Sequence, residues 1–454
     1  MPIQSLNPTT ELVEKTFSAL TASEIQEKIA TAGLAFASWK NASFAVRVGL
    51  MANLSQLLKD NAEKLARSMA VEMGKPITAG EAEIRKCATV VDFYATNAEN
   101  YLKNEAVATD ATESFVSFEP LGVILAVMPW NFPFWQVIRF AAPAIMAGNV
   151  AILKHASNVP QCALAIEELF LQAGFPEGVF QSLLIGGEQV EAVIKNDLVK
   201  AVTLTGSEYA GSQVAMQSGK EIKKTVLELG GSDPFIVLAD ADLAEASSVG
   251  IMARLQNAGQ SCIASKRFIV VASVYDEFLA KFIDNWKKIS VGDPLDRKTE
   301  MGPIYSQSGL EAIEKQIRDS VAGGAMIAVG GKRMAGVGCF LEPTILTNVR
   351  KGMPAYDEEI FGPVAGVIKV ENTEEAIAVA NDTKFGLGAS LWTRDIAEAK
   401  KIIPRLEAGC VFVNSMVKSD PRLPFGGLKK SGYGRELSYF GLREFVNIKT
   451  VFIK

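Results

Sequence analysis

Apolar residues recur at helical spacing through residues 21–40, 43–72 and 77–103, set among Glu, Lys, Gln and Asn. The first third of the chain is therefore predicted to form amphipathic helices in an outer layer. The pattern changes at Phe115, where SFVSFEPLGVILAVMPW starts with the alternation of a half-buried strand and becomes a nearly continuous apolar run that suits a buried strand. Strand-like and helix-like segments then alternate: 150–153, a helix over 160–173, 179–185, a helix over 188–196, 200–204, a helix over 208–219, and 223–228. This is the rhythm of a parallel sheet with crossover helices. A second series opens near Pro234 with FIVL, a helix from Leu243, RFIVV at 267–271, and helices near 275–289 and 309–323, predicting a second α/β lobe. Beyond Ala389 come SLWT, CVFVN at 410–414, the Gly-rich stretch PFGGLKKSGYGRE, predicted as an ordered, tightly turning loop, and a final strand-like EFVNIKTVFIK. No repeat or low-complexity linker interrupts the chain, so the lobes are expected to pack against each other.

At 454 residues, 48% of them apolar and 21% charged, the chain has material for two or three packed lobes. Its 46 basic and 51 acidic residues give a formal charge of −5, and no stretch concentrates Lys and Arg, which argues against nucleic acid as a partner. The N-terminal stretch lacks a basic-then-apolar leader and no apolar run is long enough to span a bilayer, so no membrane partner and a cytoplasmic location are expected. Five widely spaced cysteines form neither a disulfide framework nor a zinc pattern, and the sole histidine, His155, excludes a multi-histidine metal site. No metal is expected, and a general base must be sought among the carboxylates.

Four positions could carry chemistry. Cys262 sits in NAGQSCIAS, where small and turn-forming neighbours would leave its sulfur approachable, although a buried structural cysteine is the commoner case. Glu228 ends the strand-like KKTVLE beside the glycines of LGGSDP, at the kind of strand edge that hosts active sites; an exposed turn glutamate is the plainer alternative. In AVTLTGSEYAG a strand leads through Gly206 into a helix closed off by Gly211, whose free N–H groups could face a dinucleotide pyrophosphate, or which could be an ordinary strand–helix turn. PWNFP holds Asn131 between two prolines after a buried strand, where it could donate to a developing oxyanion or only make local turn bonds.

PWNFP, the Gly206–Gly211 turn, LELGG, GQSC, EEIFGPV and PFGGLKKSGYGRE occur in one order along the whole chain, and together they resemble the aldehyde dehydrogenase superfamily. The resemblance implies a Rossmann-type cofactor domain over 1–104 and 121–229, an α/β catalytic domain over 230–441, and a small β oligomerisation region over 105–120 and 442–454. It further implies Cys262 as nucleophile, Glu228 as the base that activates water, and Asn131 with the Cys262 backbone N–H as oxyanion donors. Trp130, Lys154, Ser157, Gly206, Ser207, Gly211, Leu229, Glu359 and Phe361 would form the NAD(P) surface. Lys154 would meet the adenosine ribose, Glu359 the nicotinamide ribose, and Phe361 would flank the ring.

Within the superfamily the chain is most similar to short bacterial succinate-semialdehyde dehydrogenases, notably in NFPFWQVIRFAAPAIMAGN and NDTKFGLGASLWT. The expected substrate is a small aldehyde, succinate semialdehyde foremost. Arg139, Trp135 and Ser419 are placed beside it, Arg139 as a fork for the carboxylate or, alternatively, as a structural ion pair. Some related enzymes carry a second arginine six residues before the nucleophile, where this chain has Gln256. Ser157 stands where NAD-selective relatives often carry glutamate, which points to NADP in preference to NAD. The resemblance also implies a homodimer or homotetramer.

Overall fold

The computed structural model describes residues 3–454. Five parallel strands, Val123–Met128, Val150–His155, Phe180–Ser182, Val199–Thr205 and Lys224–Glu228, form the first sheet, and Gly432–Tyr433 joins its edge antiparallel. Their spatial order is third, second, first, fourth, fifth in chain sequence. The direction of winding thus reverses between Val123–Met128 and Val199–Thr205, and loops leaving the two strands diverge to open a crevice at their carboxyl ends. Asn131 and Gly206 lie just beyond those ends, and Leu229 follows the adjacent strand Lys224–Glu228.

The crossover helices Pro160–Gln172, Val190–Lys195 and Glu208–Lys220 fall within a few residues of the predicted positions. The last matches the predicted span 208–219 and passes through Gly211, which was also read as closing it off. It continues because the missing side chain lets the helix rest on Leu229; an added Cβ would lie 2.6 Å from Leu229 Cδ2. Another helix, Trp135–Met146, is absent from the sequence prediction. All of its residues are buried, so no polar face marks its period.

The N-terminal helices are Ala22–Trp39, Phe44–Asp60, Ala62–Met73 and Ile77–Tyr101. The helix predicted over 43–72 is broken at Asn61, which leaves helical geometry (φ −101°, ψ 11°) and turns its amide onto Leu57 O at 2.8 Å. Ahead of these helices, Ile3–Leu6 and Val13–Phe17 form a short antiparallel hairpin. No helix among the described residues is long and apolar enough to cross a membrane.

The second sheet runs in the order Met326–Val329, Thr344–Thr347, Val364–Val370, Ser265–Val271, Asp233–Val237, Gly388–Trp392, Cys410–Val413, parallel except for the first strand. A third, small sheet places Glu113–Pro120 between Glu105–Ala106 and Val446–Ile453. The run starting at Phe115 is therefore two strands: its alternating half pairs with the C-terminal strand, and its apolar half is central in the first sheet.

Two cores result, one gathering buried residues from Ile25 to Leu229, the other from Phe235 to Leu406. Phe425, Leu437, Leu442 and Phe445 return to the first core. The Gly-rich loop thus packs with the first lobe, although it was expected with the region 230–441. Gly432, at φ 113°, permits this return, since a Cβ there would collide with Leu227 O.

Asn149 fastens this arrangement. It is fully buried; its Oδ1 accepts from Gly122 N at 3.0 Å, and its Nδ2 donates to Phe445 O at 2.9 Å and to Ala144 O at 3.2 Å. Asn149→Ala should destabilise the fold by about 1–3 kcal/mol for each backbone group left unpaired. Urea unfolding of the variant checks this, and an unchanged midpoint would contradict it.

Candidate active site

The PWNFP loop leaves the first sheet at Met128 and is held by the only histidine. His155 is buried at the end of the neighbouring strand, its Nδ1 2.9 Å from Ala156 N and 3.2 Å from Met128 O and its Nε2 2.9 Å from Pro133 O. Burial lowers its pKa to about 4. This imidazole is a neutral strut, with both nitrogens engaged in shaping the loop.

That loop carries Asn131, which is 3% exposed. Its Nδ2 donates to Gln260 O at 3.1 Å, and its backbone O accepts from Asn257 Nδ2 at 2.8 Å. Asn257, Ala258 and Gly259 all adopt positive φ (56°, 55° and 72°), a left-handed turn that brings the following Gln260, Ser261 and Cys262 against the first lobe. Lys266 secures the far side, donating to Ser261 O at 2.8 Å and Cys262 O at 2.7 Å. Among the described residues the Cys262 N–H has no backbone or side-chain acceptor, so it remains free to donate beside Asn131.

Cys262 lies on the wall between two cavities. The larger, about 550 Å³, is lined by Trp130, Asn131, Gly206, Ser207, Leu229, Glu359 and Phe361. The smaller, about 210 Å³, is lined by Lys86, Trp135, Arg139, Gln256 and Ser419. Low-polarity surroundings push the Cys262 thiol up to about 12, against the lowering influence of Arg139 and Lys266. Burial raises the other four thiols as well. Acidity therefore does not single out Cys262; its place between the cavities does.

Glu228 ends its strand 2% exposed, and neither carboxylate oxygen has a hydrogen-bond partner among the described residues. Burial, followed by the negative charge of Glu436, raises its pKa well above the usual carboxylate range. Such a group is held protonated in dry surroundings and can act as a base toward an entering water only after it has released that proton. Glu436 is itself buried and ion-paired with Arg139 Nε. Arg139 thus makes the structural ion pair weighed as its alternative role while also lining the smaller cavity.

The larger cavity has the build of a dinucleotide site. Ser207 caps the helix Glu208–Lys220 by accepting from Ala210 N at 3.2 Å, and the start of this helix faces the crevice with Gly206. Glu359 accepts from Gly231 N (3.0 Å) and from Lys266 Nζ (3.2 Å), and Gly230 has no side chain because Glu359 occupies that space. Trp130 stacks on Tyr305 with centroids 3.7 Å apart and meets Phe361 edge-on at 5.8 Å. Farther along, Lys154 lines a cavity of about 390 Å³ with Glu188, Tyr209 and Gln213. Ser157 is exposed in the turn after the Lys154 strand.

Several contributors escaped sequence reasoning. Tyr305 lies far from any quoted motif, Lys75 and Lys266 fall just outside the segments singled out and carry no distinguishing pattern, and Glu83 and Lys86 read as ordinary charges of an amphipathic helix. Glu436 is the exception, since it ends the quoted GYGRE.

Comparison with known proteins agrees with this geometry. Residues 1–451 match the model of the aldehyde dehydrogenase family. The chain is 52% identical over 453 residues to a probable NADP-dependent succinate-semialdehyde dehydrogenase of Synechocystis, with both chains fully covered. It is 51% identical over 456 residues, again with full coverage of both, to an NADP-dependent succinate-semialdehyde dehydrogenase of Mycobacterium tuberculosis. The structure of succinic semialdehyde dehydrogenase from Streptococcus pyogenes in complex with NADP+ superposes with a TM-score of 0.97 at 39% identity, over 99% of each chain. With a family model matched over residues 1–451 and full-length relatives above 50% identity, the chain belongs to the aldehyde dehydrogenase family.

Proposed function

We propose that this chain oxidises succinate semialdehyde to succinate with NADP as the preferred oxidant. One observation carries the reading: Cys262 borders both cavities, so a thiol held there faces an aldehyde from one side and a dinucleotide from the other. The identities above 50% to NADP-dependent succinate-semialdehyde dehydrogenases supply the substrate and the cofactor.

In this reading the Cys262 thiol gives up its proton to solvent, the thiolate sulfur adds to the aldehyde carbon, and the carbonyl oxygen takes up negative charge. Asn131 Nδ2 and the Cys262 N–H stabilise that oxyanion as the carbon becomes tetrahedral. NADP, when bound, supplies the hydride acceptor, leaving an acyl group joined to Cys262 as a thioester. Glu228, once its own proton has passed to solvent, takes a proton from water, whose oxygen attacks the thioester carbon; the C–S bond breaks, succinate departs and the thiolate is restored. His155 serves no step, because both its nitrogens are committed to the loop.

Trp130, Gly206, Ser207, Leu229, Glu359 and Phe361 are assigned to the nicotinamide and pyrophosphate half of the cofactor, and Gly211 to the close packing beneath it. Lys154 and Ser157 are assigned to the adenosine half, where a cation and a hydroxyl donor suit a 2′-phosphate and no glutamate repels it. Trp135 and Ser419 are assigned to the substrate cavity, and Arg139 to its charge balance.

The deciding experiment is steady-state kinetics with succinate semialdehyde and butanal, each against NADP and NAD. Succinate semialdehyde with NADP should give the highest kcat/KM, and Ser157→Glu should depress NADP use at least tenfold more than NAD use, the scale of one lost charge-assisted contact replaced by repulsion. Equal kcat/KM for both aldehydes in the wild type would contradict the substrate, and an unchanged cofactor preference in the variant would contradict the role of Ser157.

Two open sheet edges support a homo-oligomer. Val446–Ile453 pairs on one side only and exposes Ile448, Phe452 and Ile453, while Cys410–Val413 ends the second sheet with an open edge. Open strands and exposed apolar side chains of this kind favour pairing between copies. A homodimer or homotetramer should appear in sedimentation equilibrium, whereas a single-chain mass across micromolar concentrations would contradict it.

A further inference from the structure

Resting on the substrate reading above, we infer that Lys86, presented to Ser419 across the substrate cavity, is the cation that receives the carboxylate of the semialdehyde. The cavity holds three cationic side chains, and two are already neutralised. Lys75 forms a buried ion pair with Glu83, whose other oxygen accepts from Phe134 N (3.0 Å) and Trp135 N (2.9 Å) and thereby fixes the start of the Trp135 helix. Arg139 is paired with buried Glu436. A substrate carboxylate that took Arg139 for itself would leave Glu436 and Glu228 as two buried, uncompensated acids.

Lys86 differs. It reaches from the helix Ile77–Tyr101, its Nζ lies 4.0 Å from the centre of the Trp135 ring, and it donates to Ser419 Oγ at 2.7 Å. No carboxylate lies within ion-pair distance of it among the described residues. A half-buried ammonium on an aromatic face with only a hydroxyl acceptor has unused donors and unbalanced charge. An anionic substrate supplies what is missing, and Ser419 can then turn its own O–H to the same carboxylate. Trp135 and Phe132 would flank the carbon chain between Lys86 and Cys262, which line this cavity together. Gln256, which stands where some relatives have an arginine, is on the cavity wall too, so Lys86 supplies from another helix the charge that position lacks.

The charged and titratable groups facing Lys86 are Arg139, Cys87, Glu83 and Asp420, and burial with the nearby guanidinium lowers its pKa to about 8. The free enzyme should therefore lose its hold on a carboxylated aldehyde as pH rises through this value.

The test is the ratio of kcat/KM for succinate semialdehyde to that for butanal, measured from pH 6.5 to about 9.5, a window that spans the lysine titration, in the wild type, Lys86→Met, Lys86→Gln and Lys86→Arg. The wild-type ratio should be high and fall through about pH 8. It should drop at least tenfold, the scale of a charge-assisted contact, in Lys86→Met and Lys86→Gln and lose its pH dependence, and Lys86→Arg should restore most of it. A high wild-type ratio that is flat in pH, or that persists in both neutral variants, overturns the role of Lys86 alone. A wild-type ratio near unity overturns the substrate reading itself. The wild-type profile needs no variant, so poor folding of a substituted chain leaves the inference exposed to refutation.

Discussion

Asn257 and Ala258 occupy the left-handed region that side chains with a Cβ avoid, at a cost of about 1–2 kcal/mol per residue. Gly259 follows in the same region, packed so tightly on Gly362 O that no Cβ fits. Such a turn persists only where its surroundings over-determine it. Here Asn257 is tied to Asn131 O, Gln260 O accepts from both Asn131 and Asn257, Gln260 Oε1 accepts from Tyr305 N at 2.9 Å, and Lys266 draws in the two carbonyls that follow. Neighbouring Arg254 donates to Ile360 O and Gly362 O, anchoring the Glu359 and Phe361 segment to the same turn.

The consequence is positional. One lobe supplies the Asn131 amide and the carboxylate Glu228; the other supplies the sulfur of Cys262, and the turn holds that sulfur against the first lobe. The histidine strut and the turn stabilise opposite sides of one small volume, so that both cavities end at Cys262. The charges obey the same economy. Around the smaller cavity Lys75 is paired with Glu83 and Arg139 with Glu436, whereas Lys86 and the buried Glu228 have no ion-pair partner, and it is these two that the proposed reaction employs on substrate and water.

Much of this was legible in the sequence. Alternation of short apolar runs with amphipathic helices gives the two α/β lobes, and strand ends followed by Gly, Asn or Glu mark where the crevice opens. Cys262 stands out from its small neighbours, although its pKa does not. What was hidden has physical reasons. The helix Trp135–Met146 is buried all round and shows no polar stripe. The return of the Gly-rich loop to the first sheet depends on a glycine whose importance appears only once Leu227 is beside it. Lys86 and Ser419 are 333 residues apart, and no local pattern links a helix-surface lysine to a loop serine.

The central claim is that sulfur and carboxylate act in succession at one point between the lobes. It is tested most directly by mixing Glu228→Gln enzyme with succinate semialdehyde and NADP, quenching in acid, and mapping the modified peptide by mass spectrometry. The expected result is one equivalent of NADPH formed per site and a succinyl group on the peptide that bears Cys262, because hydride transfer proceeds and hydrolysis does not. Steady turnover with no acylated peptide, or acylation at a different cysteine, would contradict it.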